Sequence, residues 1–458
     1  MSLPRSSERI LDELAGHAEL ALAAAKAAGA EHAEVAAGQG RDLEVSVREG
    51  SVELVKEAQS HGLSIRVITG DRVATSSTTD LQPDALRRFA ATAVEMASIS
   101  EADPFALPPD PKELTRTFVD LDLFDVRTDR ITAARGVKEA MRAEKAAFKQ
   151  DRRITASEGA SFSRSSGHSV LLTSGGFCGR TAGTYQSIVV QAIADDADGK
   201  KRNGAYWTGS RFLEELEPAA EVGREAARRA VASLGATQLP TGVYPIVFDR
   251  EAARAIVGLV ASCVVGDAVY RQRSYLGERL GDTIASAKVT IVDDPLLPRG
   301  PGSRAYDGEG RRARKNTIVS RGVLQSFLLD SYSARKLGLK PTGSAGGGGG
   351  VPHCSTSNLY LKAGRVDPKS LLRGIDRGLY VTRMMGFGFD ATTGNFSRGA
   401  EGFAIENGEL AGPVGEITIS RNLDELLKGI DAVANDLQMR TSVASPSFRV
   451  DQMTVAGR

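Results

Sequence analysis

The segment DREAARAIVGLVASCVVGDAVY, residues 249–270, decides how the C-terminal half of this chain folds. Asp249 is a residue type that caps helix N-termini, and almost every side chain from Ala255 to Val265 is apolar. Gly266 is a residue type that commonly follows a helix end. Because a helix that is apolar on all sides has no face suited to water, the segment predicts a helix buried in a core.

The same segment lacks the residues that a helix-borne metal site requires. Two histidines that bind one metal from a single helix must lie within about one and a half turns of each other. The five histidines are at positions 17, 32, 61, 168 and 353, so no two are close enough. The three cysteines, at 178, 263 and 354, predict neither a zinc knuckle nor a disulfide framework, because they are widely spaced and odd in number.

Five segments of the C-terminal half resemble the TldD/PmbA family, whose two-subunit assemblies are metal-dependent peptidases that act on peptides and small proteins. The resemblance covers nearly the whole chain and is strongest from residue 240 to residue 440. The segments are GDAVYRQRSYLGERLG (266–281), LLDSYSARKLGLKPTGSAGG (328–347), TTGNFSRGAEGFAIENGEL (392–410), PVGEITISRNL (413–423) and AVANDLQMR (432–440).

The resemblance also locates the family's metal site. In the catalytic, TldD-type subunit this helix carries an HExxxH motif just before a Gly-Asp pair, and a distal cysteine completes the site. Aligning that pair with residues 266–267 puts the motif's His, Glu and His at Val257, Gly258 and Ser262, and the cysteine at Ser445. None of these four residues can replace the ligand. The resemblance therefore implies a TldE/PmbA-type subunit with no catalytic residue and no metal of its own, and zinc is expected in the partner subunit.

The resemblance further implies the fold and the partners. The expected fold is α/β (α+β), with an N-terminal αβ domain that contains an antiparallel sheet and a larger C-terminal domain with mixed sheets. The expected partner is a TldD-type catalytic subunit in a heterodimer that encloses unfolded peptide substrates, and a homodimer is possible when the chain is alone. Two alternatives stay open: a metallopeptidase active by itself through non-standard ligands, and a homodimeric peptide-binding module without proteolysis.

Composition restricts the partners independently. The chain of 458 residues has 58 basic and 57 acidic residues and a net charge of +1, which argues against binding nucleic acid or an anionic membrane. The first residues, MSLPRSSERILDELAG, contain no apolar run of signal-peptide length, and no later window resembles a membrane span. The expected location is therefore the cytoplasm.

Patterns along the chain predict three parts. Residues 1–110 combine a helix at 7–28, alternating strands and a second helix at 83–97, and they end in a proline-rich stretch. Residues 111–235 combine a helix at 128–149 with strands that alternate in polarity and a closing helix. Residues 236–458 hold the family-like segments.

Charged residues within those segments are the candidates for a substrate channel or a subunit interface. Ion pairs that stabilise the domain are the simpler interpretation, although arginine can also hold a carboxylate or a peptide carbonyl. The candidates are Asp267, Arg271, Arg273, Arg398, Glu401 and His353.

Three further motifs have simpler explanations than catalysis. The adjacent His353 and Cys354 could form a nucleophile and its base, but sequence neighbours rarely face each other and no third, orienting group is evident. The glycine run at 343–351 fits no phosphate-binding loop and is interpreted as a flexible loop. Ser333 and Lys336 match SxxK, which is interpreted as a helix cap and packing element because its companion motifs are missing.

Overall fold

The computed structural model describes residues 3–197, 199–351 and 353–458, and its N-terminal part forms one antiparallel sheet flanked by helices. The elements of this part are α1 (Arg5–Ala27), β1 (His32–Arg48), β2 (Ser51–Thr69), β3 (Arg72–Thr78), α2 (Pro83–Ile99), α3 (Val126–Asp129), α4 (Ala133–Gln150), β4 (Ile154–Thr173), β5 (Cys178–Asp195), β6 (Lys201–Ser210) and α5 (Ala219–Ala232). The six strands lie in the order β3-β2-β1-β4-β5-β6.

Strand β1 joins the two halves of this sheet. It pairs with β2 on one side and with β4 on the other, so segments 1–110 and 111–235 share a continuous sheet. Six of its odd-numbered side chains are buried, Ala33, Val35 and Ala37 against α1 and α2, and Leu43, Val45 and Val47 against α4. The alternating sequence of β1 follows from this one-sided burial. The boundary near residue 110 stays a prediction.

The C-terminal part contains two sheets. Its elements are β7 (Gly242–Phe248), α6 (Arg250–Val264), α7 (Gly266–Tyr270), β8 (Ile291–Asp293), β9 (Asn316–Ser320), β10 (Val323–Leu324), α8 (Ser331–Leu337), β11 (Leu359–Leu361), β12 (Arg377–Met385), β13 (Asn395–Glu406), β14 (Glu409–Asn422), α9 (Leu423–Lys428), β15 (Ile430–Val433), β16 (Val443–Ala444) and β17 (Phe448–Ala456). The strand orders are β10-β9-β8-β11-β16 and β14-β13-β12-β7-β17-β15. Parallel pairs β7–β12 and β11–β16 occur among antiparallel ones, which confirms the predicted α+β class with a mixed-sheet C-terminal domain.

Helix α6 lies between these two sheets, as its apolar sequence predicts, but it is not buried on all sides: Ser262 is exposed, and Ala255 and Gly258 on the same face are partly exposed. It contacts β7 and β12 of one sheet and β11 and β16 of the other. Asp249 caps its N-terminus, and the carboxylate accepts the N–H groups of Glu251 at 2.7 Å and Ala252 at 3.2 Å. The helix ends at Val264, and Gly266 begins α7 where a Cβ atom would lie 2.3 Å from the Ser333 Oγ.

The glycine run is packed, which corrects its interpretation as a flexible loop. Gly349 has a positive φ of 69°, and a Cβ atom there would lie 2.7 Å from the Ser64 carbonyl oxygen of β2. A Cβ atom at Gly348 would lie 2.4 Å from the Leu171 side chain of β4. The run therefore forms a close contact between the C-terminal part and the N-terminal sheet, where larger residues have no room.

Strand β2 has an edge that is partly open. Strand β3 pairs with β2 only from Leu63 to Thr69, and no described strand pairs with the same side of residues 51–62. Val52, Leu54 and Val55 on this segment are exposed. The open edge is roughly 40 Å long at the usual rise of a strand.

Within the described ranges, no helix has both the length and the apolar character needed to cross a membrane.

Two buried carboxylates, Asp307 and Glu309, lie in a turn that contacts the segment between α2 and α3. The Gly310 carbonyl accepts the Thr115 N–H at 2.9 Å. Glu309 accepts hydrogen bonds from both the backbone N–H and the hydroxyl of Ser331, the latter at 2.6 Å. Burial, together with the neighbouring Asp307, nevertheless raises the pKa of Glu309. Ionised Glu309 is therefore less stable in the folded chain than in water.

This raised pKa predicts a pH dependence of stability. The folded chain holds the Glu309 proton more tightly than the unfolded chain, so this contribution is complete below the ordinary value of 4.5 and is lost as pH rises through the raised value. Urea unfolding from about pH 5 to about pH 9 should give a falling free energy of unfolding that is flatter in Glu309→Gln. If the free energy of unfolding fell equally steeply with pH in both proteins, Glu309 would not be the group responsible. The control is Glu53→Gln on the exposed edge of β2, which should leave the pH dependence unchanged.

The contact between α4 and α5 predicts a second stability effect. A Cβ atom at Gly223 would lie 1.9 Å from the Ala143 carbonyl oxygen, so Gly223→Ala must push the helices apart. We expect a loss of about 1–3 kcal/mol in the free energy of unfolding. The matched control is Gly16→Ala in α1, where a Cβ atom meets nothing within 4 Å. That variant should gain about 0.5–1 kcal/mol, and a stable Gly223→Ala protein would refute the close contact.

Candidate functional site

The helix positions that the resemblance assigns to metal ligands carry no suitable donor. Val257 is buried in the core and Gly258 has no side chain. The Ser262 hydroxyl donates to the Leu259 carbonyl oxygen at 2.7 Å, and the Ser445 hydroxyl donates to the Pro446 carbonyl oxygen at 2.8 Å. Because both hydroxyls are held by backbone oxygens and no imidazole, carboxylate or thiolate occupies these positions, the residues present do not fit the family's zinc.

A hydrogen-bonded cluster lies just beyond the helix, where α7, α8 and the end of the glycine run meet. We call Asp267, Asp330, Ser333 and Cys354 the junction cluster. The Ser333 hydroxyl donates to Asp330 at 2.5 Å and contacts the Cys354 sulfur at 3.2 Å. Asp267 accepts the Cys354 N–H at 3.3 Å, and the Asp330 N–H donates to the Cys354 sulfur at 3.2 Å. These bonds join three segments that are distant in sequence.

Burial favours the neutral forms of Cys354 and Asp267 in this cluster. Burial, with the Asp330 charge adding to it, raises the pKa of the Cys354 thiol. Burial likewise raises the pKa of Asp267, and the Asp330 carboxylate acts in the same direction. One oxygen of Asp330, Oδ2, is buried without a hydrogen-bond partner in the described structure. Ligand atoms of Asp267, Asp330 and Cys354 lie within 4.8 Å of one another, so these residues form the candidate position for a cation in this chain.

His353 and Cys354 do not face each other as a nucleophile and its base would. The His353 ring is exposed, and its Nδ1 lies 3.2 Å from the Val351 carbonyl oxygen. Cys354 is buried among the junction cluster. The His353 ring instead covers Gly346, where a Cβ atom would lie 2.2 Å from Nε2. The position of the His353 ring is therefore explained by its packing against the glycine run.

The other charged candidates lie on two surfaces. Arg271 and Arg273 are exposed after α7, and the Arg271 Nε donates to the Tyr270 hydroxyl at 2.9 Å. Glu401 pairs with Arg383 across β12 and β13 at 3.1 Å. Arg398, on β13, stacks on Phe396 at 5.8 Å, and its buried Nε has no hydrogen-bond partner within the described ranges. Their roles in a channel or interface stay predictions.

Sequence reasoning missed a small basic cavity beside Ser445. The cavity has a volume of about 30 Å³ and lies between β6, the first turns of α6 and the segment before β16. The signal in the sequence is the pair Arg250 and Arg254, which are one helical turn apart. The lining residues are Trp207, Arg250, Glu251, Arg254, Gln438, Arg440, Thr441, Ala444 and Ser445.

Models of one protein family match most of the chain. The PmbA/TldA metallopeptidase domain 1 matches residues 33–97, the central domain matches residues 127–234, and the C-terminal domain matches residues 241–457. The three matches follow the order of the elements described above.

Individual proteins are similar over nearly the full length. The metalloprotease PmbA of Escherichia coli O157:H7 is 35% identical over 458 residues, which cover 100% of this chain and 98% of that protein. A crystal structure of a putative modulator of DNA gyrase from Bacteroides thetaiotaomicron has a TM-score of 0.90 at 26% identity and covers 98% of this chain and 100% of its own. The structure of TldE from Thermococcus kodakarensis has the same fold, with a TM-score of 0.86 at 20% identity over 96% of this chain and 100% of its own.

The burial of the junction cluster predicts thiol reactivity. Cys178 is exposed, whereas Cys263 and Cys354 are buried, and burial raises the pKa of Cys263 to about 11. A thiol reagent should therefore modify one of the three cysteines quickly in the native protein and all three after denaturation. In Cys178→Ser the fast reaction should disappear. Rapid modification of Cys354 in that variant would instead reveal an accessible, reactive thiol.

Proposed function

The chain belongs to the PmbA/TldA metallopeptidase family, and on that premise we propose that it is the non-catalytic, TldE/PmbA-type subunit of a heterodimeric peptidase. Its partner is a TldD-type subunit that carries the zinc. This chain helps to form the chamber in which unfolded peptides and small proteins are cleaved.

The observation that carries the proposal is the set of residues at the ligand positions. Two of these positions offer no donor atom, since Val257 has an aliphatic side chain and Gly258 has only a hydrogen atom. The other two, Ser262 and Ser445, have hydroxyls that donate to backbone oxygens. A peptidase metal polarises the scissile carbonyl and lowers the pKa of bound water, and it needs strong ligands to stay bound. Without these ligands, the zinc of the assembly must belong to the other subunit.

The contribution of this chain is then to bind and orient the substrate. Arg398 has an unbonded Nε, and Glu401 is half-buried beside Arg383 on neighbouring strands. Guanidinium and carboxylate groups fixed on strands can hold the carbonyl and N–H groups of an extended peptide. Holding a peptide at a fixed distance from a metal accelerates cleavage without any covalent role for the residues that hold it.

The open edge of β2 supports a protein partner. A strand edge with unpaired backbone groups readily pairs with another chain, and proteins normally protect such edges. Here the edge at 51–62 presents Val52, Leu54 and Val55 to solvent, and Lys56 is its only lysine or arginine. A subunit that covers this edge would satisfy its backbone groups and bury its apolar side chains.

A reconstitution assay tests the proposal. Cleavage of an unfolded peptide should be at background for this chain alone and should rise with added TldD-type subunit until the two are equimolar. The partner's activity should require its own HExxxH residues, and a chelator should abolish it. As a control, Leu54→Lys should weaken assembly, whereas Leu410→Lys, an exposed leucine on β14, should leave it unchanged. Brisk, chelator-sensitive cleavage by this chain alone would overturn the proposal.

The junction cluster gives one specific reason to keep an alternative, a metallopeptidase active by itself. Two carboxylates and a thiol within 4.8 Å of one another could bind a divalent cation through non-standard ligands. In that case the purified chain would contain stoichiometric zinc that Cys354→Ser removes together with activity. Under the proposed function, metal content is below stoichiometric and the substitution does not change it.

A further inference from the structure

We infer that the small basic cavity beside Ser445 binds an oxyanion, and that its ligand is the carboxylate of a peptide. The carboxylate source rests on the proposed function, because a subunit that holds peptides meets carboxylates at their C-termini. The oxyanion chemistry itself rests on the residues that line the cavity.

Three arginines from two segments reach this cavity. Arg250 and Arg254 are on the first turns of α6, and Arg440 is on the segment before β16. Arg440 has a carboxylate partner, since it pairs with Glu217 at 2.5 Å and also donates to the Trp207 carbonyl oxygen at 3.0 Å. The charges of the other two are not balanced in this way.

Arg250 and Arg254 have no carboxylate partner in the part of the chain that the structure describes. Arg254 donates to the Thr441 hydroxyl at 3.1 Å, a neutral acceptor. The cavity's one carboxylate, Glu251, is held by Arg229 through two hydrogen bonds of 2.8 and 2.9 Å. Although burial opposes it, this pairing and the charges of Arg250 and Arg440 lower the pKa of Glu251. The cavity is therefore electropositive.

The position of the two arginines is unfavourable unless an anion binds. Like charges one helical turn apart repel each other. Both also lie near the N-terminus of a 15-residue helix, where the helix dipole disfavours cations and favours anions. An anion between the guanidinium groups removes both penalties. Arginine is suited to this role because its planar N–H groups match the two oxygens of a carboxylate.

The size of the cavity restricts what enters it. About 30 Å³ accommodates roughly two water-sized atoms, so the two oxygens of a carboxylate fit and the rest of a peptide stays outside. Ser445, the residue at the position of the family's distal cysteine, also lines the cavity. A carboxylate bound here would fix the end of a peptide beside the helix that corresponds to the metal-binding helix of the catalytic subunit.

The chain contains its own reporter for this cavity. Trp207 is the only tryptophan of the chain and lines the cavity, so its fluorescence reports binding directly. We would titrate the full chain with N-acetyl-dialanine, with its C-terminal amide and with inorganic phosphate. The free acid should change the fluorescence saturably, and the amide should bind at least about tenfold more weakly because it lacks the charge.

Variants identify the residues that bind. Arg250→Gln and Arg254→Gln should each weaken binding of the acid about tenfold or more. Arg254→Lys keeps the charge but loses the planar guanidinium group, so its affinity for the acid should lie between those of the original chain and of Arg254→Gln. Arg228→Gln, which removes an exposed pair with Glu225 on α5, is the matched control and should bind normally. Thermal unfolding of each variant verifies that it is folded, and Arg254→Lys keeps the test decisive if a glutamine variant unfolds.

Two outcomes would overturn the inference. Equal binding of the acid and the amide, or normal binding by all the arginine variants, would exclude an oxyanion site here. Binding of phosphate but not of the acid would keep an oxyanion site and exclude the carboxylate. Because the titration needs neither a partner nor cleavage, failure of reconstitution with normal titration would count against the proposed function and not against this site.

Discussion

Packing of α6 between two sheets is the constraint on which the C-terminal part depends. A helix that contacts two sheets must be apolar on both packed faces, and the residues of α6 that stay exposed or partly exposed, among them Glu251, Arg254 and Ser262, lie on one stripe. Asp249 satisfies the first N–H groups at one end, and Gly266 allows α8 to approach at the other. The basic cavity lies at the first of these ends, and the junction cluster lies just beyond the second.

The same packing explains which residues can occupy the positions that the family resemblance assigns to metal ligands. In this chain the ligand positions on α6 carry Val257 and Gly258, and Val257 packs in the core. An apolar residue facing the core stabilises the helix, whereas an unliganded histidine or glutamate in that place would need a partner to offset its burial. Val257 therefore contributes to the core at a position that the family resemblance assigns to a metal ligand.

Close backbone contacts hold the N-terminal and C-terminal parts together. The glycine run packs on β2 and β4 with no room for side chains, and in the adjacent turn the Gly310 carbonyl accepts the Thr115 N–H while Glu309 binds Ser331 of α8. The relative position of the two parts is therefore tied to a few short contacts.

The sequence by itself determined the core helix, the antiparallel N-terminal sheet, the α+β class and the absence of zinc ligands on α6. The core helix and the antiparallel sheet follow from periodicity and residue type, which are local properties, whereas the α+β class and the ligand positions on α6 were implied by the family resemblance. Only the tertiary structure decided that the glycine run is packed, that Cys354 is buried beside Asp267 and Asp330, and that Arg440 meets Arg250 and Arg254 around a cavity. These features join residues that are far apart in the chain, and their distances depend on how the sheets and helices pack, which no local pattern records.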